Sequence, residues 1–118
     1  MEKQNIIKEK SFLFAIEIVG LYKVLVERKE FVLSKQMLRS GTSIGANVRE
    51  SEHAQSKADF IHKLSISLKE ANETEYWIDL LYETKYISVI EFHNIKPKTI
   101  ELLKLLTSII NTSKNKMN

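Results

Sequence analysis

The sequence predicts an all-α fold, an antiparallel up-down-up-down four-helix bundle, and three observations carry that expectation. Apolar residues recur at helical spacing along the chain, helix-starting signals punctuate it, and glycine and proline number only 3 and 1 in 118 residues. A chain of this length builds one core, so a single domain is expected over residues 1–118, with an ordered core of about 9–112.

The first helix is expected over residues 11–29. Phe14, Ile18, Leu21 and Leu25 form its core stripe, and Phe12, Ala15, Val19, Tyr22 and Val26 fill the adjoining arc. Leu13, Ile16 and Val24 fall on the opposite side, among Glu17, Gly20, Lys23 and Glu27. A helix this apolar all round is buried from more than one direction, which points to a contact with another copy of the chain.

The second helix is expected to start at Ser34 as N-cap, with Leu33 and Leu38 as a hydrophobic staple and Met37, Gly41, Ile44 and Val48 facing the core. Gly41 and Gly45 each cost about 1 kcal/mol relative to alanine inside a helix. Being four apart they share a face, where a neighbouring backbone can approach closely. A phosphate-cradling loop would need a Lys-Ser/Thr pair and a preceding strand, and Ser40–Ala46 has neither.

Ser56 and Asp59 predict a capping box opening a third helix that runs to about residue 85. Its stripe is Ile61, Leu64, Leu68, Ala71, Ile78 and Tyr82, interrupted by Glu75. A carboxylate in a core stripe needs a compensating cation, and antiparallel register brings Arg39 close, so a Glu75–Arg39 pair is expected; a stripe-edge carboxylate reaching water is the alternative. On the far side Ile66, Trp77 and Leu80 form a second apolar patch, the expected oligomer interface.

A second capping box, Ser88 with Glu91, opens the fourth helix, with Ile87 and Phe92 as its staple. Pro97 predicts a break near Lys96 and a restart carrying Ile100, Leu103, Leu106, Ile109 and Ile110. Residues 1–8 and 113–118 are expected to fray.

Without cysteine the chain holds no disulfide or thiolate metal site, the usage expected of a cytoplasmic protein. Glu17 and Lys23 interrupt the first apolar run, which disfavours a signal peptide, and no stretch approaches the roughly 20 apolar residues of a membrane span. Glu50-Ser-Glu-His53 has the spacing of di-iron bundles and Asp59-Phe-Ile-His62 is a looser relative. The other two helices offer no carboxylate at that level, so no metal or other cofactor is expected. The 3 histidines are scattered and no nucleophile elbow is present, so the expected protein is not an enzyme.

Charge is the remaining clue. The net charge is +3 and the isoelectric point about 9.1. The bundle topology gathers Arg28, Lys29, Lys35, Arg39, Lys85, Lys96 and Lys98 at one end against Glu27, Glu30, Glu83 and Glu91. Seven cations against four carboxylates make a candidate nucleic-acid surface, with a solvated charged end as the alternative.

The segments Leu33–Glu50, Ala54–Leu64 and Lys69–Trp77 resemble the bacterial four-helix-bundle proteins encoded in intervening sequences of 23S ribosomal RNA genes. The resemblance covers nearly the whole chain and is most specific in the central two helices. It implies a ring-like homopentamer. It also implies kinship with the accessory variability determinant of diversity-generating retroelements, a basic barrel that binds a reverse transcriptase and nucleic acid. Two functions follow as expectations: a self-assembling bundle that binds structured RNA or an RNA-handling protein through its basic surface, or an oligomeric protein scaffold with no nucleic-acid role.

Overall fold

The computed structural model describes residues 2–117. Four helices run in chain order: α1 (Glu2–Glu27), α2 (Leu33–Ser51), α3 (Lys57–Glu83) and α4 (Val89–Met117). Short connections make consecutive helices antiparallel neighbours. Each helix packs on the next and α4 closes against α1, while α1 and α3, like α2 and α4, sit at opposite corners with no close approach of their backbones. The result is an up-down-up-down bundle 48 Å long and about 20 Å across, with both the α1–α2 and α3–α4 connections at one end.

The expected stripes of α1 and α2 face the core. Phe14, Ile18 and Leu25 are buried on α1, and Met37, Gly41, Ile44 and Val48 on α2. Fraying at the N-terminus is not found: α1 begins at Glu2 and buries Ile7, which joins the same stripe one turn earlier. The C-terminal end is likewise helical, and Ser113 is buried there.

The glycine face is a close-packing site. A Cβ on Gly41 would lie 2.9 Å from both Cγ1 and Cγ2 of Ile18, and one on Gly45 would lie 3.2 Å from the Ser11 carbonyl oxygen. The bare glycine backbone of α2 lies directly against α1, and the dense packing this allows offsets the poor helix propensity of glycine. Between α2 and α3 small polar residues serve the same purpose. The Thr74 and Ser40 hydroxyls are hydrogen-bonded to each other at 2.8 Å and Ser67 donates to the Ile44 carbonyl at 2.8 Å, so these buried hydroxyls are satisfied where the helices approach.

Two helix starts differ from expectation. Ser34 is not the N-cap of α2, which begins at Leu33 after Val32. The buried Glu30 carboxylate performs the capping instead, accepting N–H groups from Val32, Leu33 and Ser34 at 3.2, 3.1 and 2.5 Å. The Ser34 hydroxyl turns back to donate to the Glu30 carbonyl at 2.7 Å. A longer side chain placed before the helix reaches three orphan donors, where serine reaches one. The Ser88–Glu91 capping box forms, with reciprocal bonds of 2.7 and 3.1 Å, whereas at α3 only half of the expected box does: Asp59 N–H donates to Ser56 Oγ at 3.0 Å, but the Asp59 carboxylate accepts the Gln55 N–H instead of that of Ser56.

Pro97 does not break α4, which continues from Val89 to Met117. The reason is visible in its buried positions Ile95, Thr99, Leu102, Leu106, Ile109 and Ser113, whose 4-3-4-3-4 spacing runs through the proline without a shift. Pro97 itself is exposed, so the missing N–H lies on the solvent side while the core on both sides holds the helix together. The same register leaves Ile100 and Leu103 only partly buried.

Candidate functional site

The connection end was expected to concentrate cations, and four of the seven are engaged in ion pairs. Arg28 forks onto both oxygens of Glu91 at 2.7 and 2.8 Å and donates to the Tyr86 carbonyl at 2.8 Å. This pair joins the two connections. The Arg28 guanidinium holds the Glu91 carboxyl down at about 2, against some cost of burial and with help from the Ser88 N–H.

Arg39, Lys96 and Lys98 are also paired. Arg39 spans Glu70 and Glu73 of α3, Lys96 meets Asp79 at 2.5 Å and Glu75 at 3.3 Å, and Lys98 meets Glu17 at 2.7 Å. Burial pulls the Lys96 ammonium down, but Asp79 and Glu75 outweigh it and hold the group above its usual range. Adding the five further carboxylates that these cations touch, Glu17, Glu70, Glu73, Glu75 and Asp79, turns seven cations against four into seven against nine. Among the described residues only Lys29, Lys35 and Lys85 of the seven form no ion pair.

The Glu75–Arg39 pair is not present. Thr74 rather than Glu75 takes the core position, because its hydroxyl bonds the Glu70 carbonyl at 2.8 Å as well as Ser40 and so can be buried without charge. One residue further on, a rotation of about 100° carries Glu75 to the stripe edge and its partner on α4.

The Ile66, Trp77 and Leu80 patch lies on α3 as expected, but each of the three is partly buried within the single chain. Trp77 packs against the core and donates its indole N–H to Glu73 at 2.9 Å. Tyr76, which periodicity did not single out, stands 58% exposed with its ring edge-on to Trp77 at 5.0 Å. On α1 the outward residues Phe12, Leu13 and Ile16 remain 51–54% exposed, with the Arg49 guanidinium over the Phe12 ring. The connections add Phe31, Val32 and Tyr86 to the exposed apolar set, and the first turn of α4 adds Val89 and Ile90. The run Phe31-Val-Leu33 before a helix was the available signal for the first of these.

The histidine spacings do not converge on a centre. Glu50 pairs with Lys63 at 3.2 Å and Asp59 accepts the Gln55 N–H, and among the described residues no group of three or more His, Asp or Glu side chains could hold a metal. No helix among the described residues is long and apolar enough to cross a membrane.

Comparison with known proteins is consistent with this geometry. A crystallised protein from Bacteroides thetaiotaomicron VPI-5482, described as of unknown function and from the S23 ribosomal protein family, is 62% identical. It superposes with a TM-score of 0.91 over 92% of this chain and 98% of its own. Comparison with curated proteins returns no match. The pattern of the 23S rRNA-intervening sequence proteins matches residues 3–108, nearly the full length of the four helices, and the chain belongs to that family.

Proposed function

We propose that the protein is a non-enzymatic interaction module that works by self-assembly, its copies joining head to tail through the outward faces of α1 and α3. The observation that carries this reading is the half-exposure of Phe12, Leu13 and Ile16 on a helix whose other face already closes the core. A cluster of this kind on a small domain marks an interaction surface. Tyr76 and Trp77 supply a different apolar surface at the opposite corner of the bundle. Two unlike patches on opposite sides make a heterologous contact, which closes as a ring when the rotation permits. The family resemblance supplies the number five.

Light scattering tests it. The unmodified chain should run as an assembly built of five-copy rings, and a particle of 13.7 kDa at micromolar concentration would refute the reading. Ile16→Asp and Trp77→Lys should each shift the population to smaller species, with helicity by circular dichroism retained.

Binding of structured RNA or of an RNA-handling protein is the second reading, and Lys29, Lys35 and Lys85 favour it as cations without an ion pair among the described residues. An electrophoretic shift with total RNA at two salt concentrations tests it, because phosphate contacts release counterions and weaken steeply with salt.

A further inference from the structure

The end of the bundle where the two connections meet carries another apolar surface, apart from the α1 and α3 faces. Phe31 and Val32 come from one connection, Tyr86 from the other, and Val89 and Ile90 from the first turn of α4. Val32 at 71% and Ile90 at 79% are the most exposed large hydrophobic residues among those described. Arg28 ties the two connections together through Tyr86 and Glu91, and Glu30 holds the backbone of Val32. The surface is therefore built in advance, and covering it requires little further ordering.

Its rim carries both signs. Lys29, Lys35 and Lys85 share it with Glu27 and Glu83, all exposed and without an ion pair among the described residues. Lys29 and Lys85 occupy equivalent places: each follows a helix end in left-handed backbone, at φ of 65° and 67°. Each is closed by the long bond of a Schellman turn, Glu30 N–H to the Leu25 carbonyl and Tyr86 N–H to the Leu81 carbonyl, both 2.9 Å. Glycine holds such a position at lower conformational cost, so both connections keep a charged side chain at the rim where none is needed to make the turn.

The mixed rim decides among occupants. A nucleic-acid backbone would meet Glu27 and Glu83 as well as the lysines, and would leave Val32, Val89 and Ile90 against groups that neither stack nor hydrogen-bond. An apolar centre whose rim carries both signs can instead complement itself, because a two-fold rotation can bring cations of one copy to carboxylates of the other. We infer that this end forms an isologous contact with the same end of a second copy. The contact goes beyond the head-to-tail reading and is independent of it. It would stack two rings if rings form, and pair two single chains if they do not.

Light scattering on the full chain reads the contact directly. Val32→Asp combined with Ile90→Asp should halve the particle mass without loss of helicity, since both side chains point to solvent. A charge exchange supplies the second arm. The triple variant Lys29→Glu, Lys35→Glu, Lys85→Glu and the double variant Glu27→Lys, Glu83→Lys should each run at half mass alone, and an equimolar mixture should return to full mass. Unchanged mass in the Val32/Ile90 variant, or a mixture that stays at half mass, overturns the inference. So does loss of RNA affinity at unchanged mass, which would give the surface to RNA. Failure of the ring reading is separately visible: Ile16→Asp should reduce the assembly to a two-copy particle held by this contact, and an unchanged mass there counts against the ring alone.

Discussion

The Glu30 carboxylate accepts the backbone N–H of Ser34 at 2.5 Å, the shortest of three such bonds that cap α2 from outside the helix. Glu30 is 6% exposed, so the donors it satisfies have little access to water. Glu30→Ala should cost about 1–3 kcal/mol, the range for leaving buried donors without partners, and Glu30→Gln should cost less because one acceptor oxygen remains. Thermal unfolding of both variants checks the order. Equal melting temperatures for the two would show that water replaces the carboxylate freely.

Acid should weaken the Arg28–Glu91 link in a defined window. The Glu91 carboxyl sits at about 2 in the folded chain against an ordinary 4.5, chiefly through its bonds with Arg28. A lowered folded value means stabilisation that is complete above 4.5 and disappears as pH falls from there to about 2. Glu30 adds in the same direction: burial pushes its carboxyl up, but the N–H donors of Ser34, Leu33 and Val32 outweigh that and hold it low. Arg28→Gln should therefore lose less stability than the unmodified chain between pH 5 and pH 2, as read by denaturant titration at each pH. Parallel pH profiles would show that the ion pair contributes nothing.

The three glycines should respond differently to an added side chain. Gly41→Ala forces a Cβ to 2.9 Å from two carbons of the fully buried Ile18 and should destabilise by about 1–3 kcal/mol. Gly45→Leu should also lower the melting temperature clearly, because the atom it meets is the Ser11 backbone oxygen, which cannot rotate aside. Gly20 has nothing within 4 Å of its would-be Cβ, so Gly20→Ala should raise stability by about 0.5–1 kcal/mol through helix propensity. Stabilisation at Gly41, or none at Gly20, would contradict this packing.

Pro97→Ala should stabilise the chain by up to about 3 kcal/mol, since α4 already runs straight through the position and alanine restores the missing N–H. Unfolding by guanidinium would show it as a rise in midpoint at unchanged slope. A fall in stability would mean that the proline shapes α4 to fit its neighbours.

Much of the fold was legible in the sequence because helical periodicity and capping are local. Phe14, Ile18 and Leu25, Met37 through Val48, the Ser56 N-cap and the Ser88 capping box all depend on residues within a few positions of one another, and each is found where spacing placed it. Local rules failed where a distant element decided the outcome. Pro97 reads as a break in isolation, but the unbroken stripe from Ile95 to Ser113 packs against neighbours on both sides of it.

The candidate surface followed the same division. Its cations are plain in the sequence, whereas their partners are not: Arg39 finds Glu70 and Glu73, Lys96 finds Glu75 and Asp79, and Lys98 finds Glu17 across 81 positions. Composition counts charges without regard to neighbours, so it left a net +3 at an end where most cations are spent on internal contacts. What the sequence by itself determined was four amphipathic helices and a close glycine face, since periods of 3.6 residues arise within one element. Only the tertiary structure decided which charges stay free and that Val32 and Ile90 meet solvent at one end, because both depend on side chains brought together from separate helices.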